Sequence, residues 1–250
     1  MRATPTRDKE NCFKGFSRNF NLLCWALTLP EIYRLLIYFV LDGITNPSFQ
    51  DFFFYLILNE LGVSKFLFAM IFLVGYVFAV FGVILYEMVL KEKEVRFILT
   101  LNVIANIFTT FLNLALAMRW NQEIDVSDYV LIFVTDASVG TLAMAFQNLP
   151  VQALFAKICP KSIEGSLFAL LTSFTNLDTL VLQPMVGAWI NYEFVGVNKD
   201  DMSKYSTLCL IAFCCSFIGF ALLPLIPLKK EIKSYQRIRR KEDLIVAEKK

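Results

Sequence analysis

Three carboxylates stand deep inside otherwise apolar stretches of this 250-residue chain: Asp42, Asp136 and Asp178. A charge near the middle of a bilayer costs at least about 2.5–3.5 kcal/mol on insertion scales, so each needs a compensating environment. Counted at 1.5 Å per helical residue, Asp42 lies about 16 Å from the cytoplasmic start of its helix, Asp136 about 10 Å from an outer start and Asp178 about 18 Å from a cytoplasmic start. Carboxylates in such places do two kinds of chemistry. They accept paired N–H groups in a charge-assisted geometry, and they take up and release a proton when water is scarce. Arg34 is the one cation within the same stretches.

Spacing groups these residues with neutral partners. Glu31, Arg34, Tyr38, Asp42 and Thr45 recur every three or four positions, which is one helical face. Asn102, Asn106, Thr109 and Asn113 form a second such stripe, and Thr172, Asn176, Thr179 and Gln183 a third. Polar stripes in membrane helices either hold helices together or line a wet cavity. The uncharged stripes lean toward structural glue, and Asp42 and Asp136 toward function, because a carboxylate is costlier glue than an amide. Glu31 and Arg34, three apart near a helix end, read first as a local ion pair or as side chains snorkelling to the headgroups.

Other chemistries find little support. The chain has no His, the commonest general base and metal ligand. It has no HExxH, GxSxG or Walker motif. The six Cys form no CxxC pair and no metal spacing. An Asp42–Asp136 protease dyad lacks any flanking motif. The expectation is therefore no enzyme, no cofactor and no metal. Nucleic-acid binding is not expected either, since the basic residues are accounted for by the membrane.

The elements that position these side chains follow from composition. Apolar residues make up 57% of the chain, with 25 Phe and a mean hydropathy of +0.57. A water-soluble domain of this size needs a more polar skin. About 20 apolar residues cross a 30 Å hydrocarbon core, and six stretches qualify: about 31–59, 66–90, 97–118, 129–155, 166–190 and 205–228. The first is too long for one straight crossing, so Pro47 is expected to bend or tilt it. The fourth carries Ala137, Ser138, Gly140, Ala143 and Ala145, which permit close approach to a neighbouring helix. The fold class is all-α membrane protein, with a basic segment over 1–28, a six-helix domain over 29–228 and a basic tail over 229–250. Residues 1–20 are polar and do not read as a cleavable signal peptide.

Alternation of the spans places 19 Lys and Arg on one side of the membrane and 4 on the other. Positive charge marks the cytoplasmic side, so both termini are expected there. Trp120 and Trp189 fall at outer ends, as interfacial aromatics do. The basic tail reads as an ordinary cytoplasmic anchor, with affinity for anionic lipid as the sharper alternative.

Four blocks, in order, resemble the folate–biopterin transporter family of the major facilitator superfamily. Pro47-Ser48 leads into FFFYLILNELGVSKF. Gly82-Val83-Ile84-Leu85-Tyr86 through Lys91 precedes Arg96-Phe97-Ile98. Asp125-Val126-Ser127-Asp128 precedes Asp136. Leu149-Pro150 precedes Cys159-Pro160, Glu164, Phe168-Ala169, Ser173 and Asn176. The resemblance covers about residues 30–228 and matches the second half of a twelve-helix bundle whose halves are related by an axis along the membrane normal. Asp178 departs from it, standing where small residues are usual. The resemblance implies alternating-access transport of folates or pterins with proton coupling. It makes Asp42, Asp136, Arg34 and Asn176 the candidate substrate or proton-coupling residues, with Arg34 facing the anionic tail of a folate. The partners expected are the lipid bilayer, a folate or pterin, and a complementary six-helix half or a second copy. An incomplete chain, a natural half and an inactive copy all fit the length, the first best. The plasma membrane and an organelle membrane are equally open, and the alternative class is a non-transporting scaffold.

Overall fold

The computed structural model describes residues 24–158 and 164–232. Most of the basic N-terminal segment, the Cys159-Pro160 block and the tail beyond residue 232 lie outside the described residues. Helices account for nearly all that is described, and five are long and apolar enough to cross a membrane.

The first expected span is broken where the sequence suggested a bend. Helix α1 covers Pro30–Thr45, with Pro30 in the first turn, where its missing N–H costs nothing. The backbone leaves the helix at Asn46 and returns in α2, Gln50–Tyr55, which ends in a π turn over Leu56–Glu60. Pro47 has no N–H to donate, and the Ser48 N–H donates to the Gln183 carbonyl of a distant helix at 3.0 Å. The local ladder stops because its donors are lost or used elsewhere.

The five longer helices are α3, Lys65–Leu90; α4, Val95–Ala117; α5, Asp128–Ile158; α6, Glu164–Val195; and a last span, Tyr205–Ile232. That last span opens with α7, Tyr205–Ser216, continues in the short α8, Ile218–Leu222, and tightens into a 3-10 turn at Leu223–Leu225. Ser64 caps α3 by accepting from the Leu67 N–H at 3.2 Å. Helix α6 ends at Gly196, whose φ of +79° is the left-handed conformation that suits glycine. The α4–α5 turn is closed by Arg119, which donates to Asp128 Oδ2 at 2.9 Å, and by Asn121 Nδ2, which donates to Asp128 Oδ1 at 2.6 Å.

Helix α4 packs between α5 and α7, α3 lies against α5, and α1 lies against the middle of α6. The small residues of α5 sit at one of these contacts. A Cβ on Gly75 of α3 would stand 3.2 Å from Thr141 Oγ1 and 3.5 Å from Ala137 Cα, and one on Gly82 would stand 3.0 Å from Ala145 Cβ. Two apolar clusters flank this packing. One gathers Ile57, Leu116, Ile132 and Leu208, and the other Ile32, Leu99, Phe155 and Leu167.

Two helices are interrupted by π turns at mid-span: Phe133–Gly140 in α5, which contains Asp136, and Leu177–Leu182 in α6, which contains Asp178. A π turn admits extra backbone and is frequent at functional sites. In α5 the Asp136 carbonyl is satisfied by the Thr141 hydroxyl at 2.8 Å.

Candidate functional site

The α4 stripe is unbroken by any π turn, and it faces inward. Asn102, Asn106, Thr109 and Asn113 all line one cavity of about 430 Å³. That volume falls within the range of small-molecule sites, about 300–1,000 Å³. Across from the stripe stand Asp42 at the end of α1 and Asp136 in the π turn of α5. Phe53 and Phe72 give the same chamber an aromatic wall, and Tyr205 and Gln147 add polar groups. Asp42 and Asp136, singled out by their depth in the spans and by the polar stripe, thus share one chamber.

The two aspartates are held differently. Asp42 is buried and accepts from Asn46 Nδ2 at 2.6 Å, one helical turn on. Asn46 begins the break after α1, so the same interruption that stops the helix supplies the carboxylate's donor. Asp136 Oδ2 is buried with no hydrogen-bond partner, and so is the Oδ1 of Asn113. A buried acceptor left without a donor costs about 1–3 kcal/mol, a penalty that a bound donor removes.

Asp178 lies behind the chamber. It is 1% exposed and accepts from Gln183 Nε2 at 3.0 Å. Its carboxylate comes close to the end of α1. The approach depends on Gly43, where a Cβ would stand 2.7 Å from Leu182 Cβ and 3.0 Å from Asp178 Oδ1. A Cβ on Gly187 would collide with the Ser48 carbonyl. Two glycines therefore let the end of α1 and its broken continuation lie directly on α6.

The other two sequence candidates stand outside the chamber. Arg34 donates to Glu231 Oε2 at 3.4 Å, near the end of the last span, with side chains 32% and 36% exposed. Asn176 is on an exposed face of α6. From the α6 stripe, Gln183 lines the cavity and Asn176 does not. Asn113, Gln183 and Tyr205 were not among the sequence candidates. The stripe periodicity pointed to the first two, and nothing in the local sequence pointed to Tyr205.

Comparison with known proteins places the sequence in a family. A family model described as the BT1 family matches residues 6–243. The chain is 28% identical over 205 residues to the folate-biopterin transporter of Synechocystis, covering 82% of this chain and 41% of that protein. It is 26% identical over 201 residues to folate transporter 2 of Plasmodium falciparum, covering 79% of this chain and 42% of that protein. The chain thus spans less than half the length of these curated relatives. No solved structure matches it. Five membrane-length apolar helices among the described residues, together with a family match over nearly the whole sequence, make this an integral membrane protein of the BT1 family.

Proposed function

We propose that this chain is one half of a carrier that moves folate or pterin solutes across a membrane by alternating access, coupled to protons. The observation that carries the reading is the chamber. Two membrane-buried carboxylates and an amide stripe converge on one space of ligand size, in a chain whose relatives are named as folate-biopterin and folate transporters. A pterin ring presents an N–H beside an amino group, and a carboxylate accepts such a pair with charge assistance. Asp136, with one unpartnered oxygen, suits acceptance of one donor of that pair. Asp42, tied to Asn46 and close to Asp178, suits proton exchange. Arg34 and Asn176, outside the chamber, are left out of this assignment.

A complementary six-helix half, or a second copy, would complete the chamber, as the coverage of the relatives suggests. Both termini would face the cytoplasm, by the distribution of positive charge. A non-transporting scaffold fits less well, because its polar stripes would be used up in helix–helix hydrogen bonds, whereas Asn113 and Asp136 keep free acceptors at the chamber.

Uptake of labelled folate and pterin into proteoliposomes tests the reading, using the chain alone and the chain with a complementary half. Uptake is expected with the pair, with Asp136→Asn reducing it at every pH and Asp42→Asn flattening its pH dependence. Unchanged uptake and unchanged pH dependence in both variants would remove the proposal.

A further inference from the structure

The geometry points to Asn113 as the residue that sets ligand specificity, its side-chain carbonyl reading a second N–H donor beside the one taken by Asp136. This deepens the transport reading and rests on it.

Two observations carry the inference. The first is depth. Helices α4 and α5 are antiparallel neighbours, and the Arg119–Asp128 pair ties them at the turn. Asn113 is six residues before Arg119, about 9 Å along the axis, and Asp136 is eight residues beyond Asp128, about 12 Å. The two side chains are therefore at nearly one level on adjacent helices, facing one cavity. The second observation is satisfaction. Buried polar atoms are almost always hydrogen-bonded. Yet Asn113 Oδ1 and Asp136 Oδ2 both lack a partner. Asn121 Oδ1, at the α4–α5 turn away from the cavity, shares this state, whereas the threonines beside Asn113, and Asn46, behave differently. The Thr109 and Thr110 hydroxyls donate back to the Asn106 carbonyl, at 3.0 and 2.8 Å, and Asn46 donates to Asp42.

Two acceptors without donors, at nearly one depth on the wall of one cavity, match a ligand edge carrying two donors and no acceptor between them. The adjacent ring N–H and exocyclic amino group of a 2-amino-4-oxo pteridine form such an edge. One oxygen of Asp136 takes the first donor, and the Asn113 carbonyl takes the second. Phe72 and Phe53, which line the same chamber, give the flat ring a surface to lie against. A site built this way rejects a ligand lacking a donor, because the orphaned acceptor stays buried and unpaired.

The test measures binding to the purified full chain, paired with a complementary half, in lipid nanodiscs, reading the fluorescence of two probes. One is pterin, and the other is the same ring system with a methyl in place of the 2-amino group. Wild type is expected to prefer pterin by roughly tenfold or more, the effect of one unpaired buried acceptor. Asn113→Leu is expected to erase the preference by weakening pterin alone. Asn176→Leu, which removes an amide outside the chamber, is expected to keep it. Asn113→Asp retains the acceptor, is also expected to keep the preference, and serves if the leucine variant does not fold. An Asn113→Leu variant that keeps the preference, or that weakens both probes alike, overturns the inference while leaving the transport reading in place. So does loss of the preference in Asn113→Asp or in Asn176→Leu. A wild-type chain that binds neither probe overturns the transport reading and this inference together.

Discussion

Gly43→Ala is a one-methyl change whose effect is set by three distances. The added carbon would stand 2.7 Å from Leu182 Cβ, 2.9 Å from Leu182 Cδ1 and 3.0 Å from Asp178 Oδ1. Carbon atoms pack best at about 3.5–4.0 Å, so α1 and α6 must part by about 1 Å. The Leu182 Cβ is fixed to its backbone and cannot swing aside as a side-chain tip does. Overpacking of this kind costs about 1–3 kcal/mol. Against it stands the intrinsic gain of alanine over glycine in a helix, about 0.5–1 kcal/mol. The clash outweighs that gain, and the net loss expected is about 1–2 kcal/mol. For 150–250 residues, that lowers the melting temperature by about 2–8 °C. Thermal unfolding in detergent, followed by circular dichroism, measures it. The double variant Gly43→Ala with Leu182→Ala removes one of the three close contacts and frees the backbone to settle, and the two changes should couple favourably by about 0.5–3 kcal/mol. A single variant that melts with or above wild type, together with additive behaviour in the pair, would refute the claim that α1 and α6 meet at this glycine.

Asn191→Ala should destabilise the chain by about 1–3 kcal/mol, because the buried amide donates to the Val197 carbonyl at 2.8 Å and accepts the Val197 N–H at 2.9 Å; the same melting assay reads it, and a shift within error would show that the loop after α6 is held some other way. Asp128→Ala should cost less, about 0.5–1.5 kcal/mol, since Arg119 loses its acceptor while Asn121 keeps the Val126 carbonyl; faster amide exchange confined to the α4–α5 turn is the expected signature, and unchanged exchange there would contradict it.

Hydrophobic runs made the membrane helices legible, because a span must be apolar wherever it meets lipid and no distant partner alters that need. The direction in which a stripe faces was less legible. Asn102, Asn106, Thr109 and Asn113 reach the cavity together because α4 is α-helical throughout. The α6 stripe assumes the same period, but the π turn at Leu177–Leu182 adds backbone between Asn176 and Gln183. One extra residue rotates the downstream half of a helix by about 100° relative to the upstream half, so Asn176 ends on the exposed face while Gln183 reaches the cavity. Arg34 lies within a span, yet its carboxylate partner Glu231 comes 197 residues later. Pro47 marked an interruption correctly. That Ser48 would donate to Gln183 depends on a tertiary contact that local sequence does not encode. The same holds for Asn113, where the decisive fact is a missing partner.

The broken stretch between α1 and α2 has a consequence for biosynthesis. Exposed backbone amides are not tolerated in hydrocarbon, and the acceptor for Ser48 lies 135 positions downstream. At about 5–20 residues per second, the ribosome needs roughly 7–27 s to reach Gln183 after Ser48 is made. Over that interval the nascent segment has to wait in a wet or proteinaceous shelter, and its final seating in the bilayer is set by the arrival of a helix translated much later.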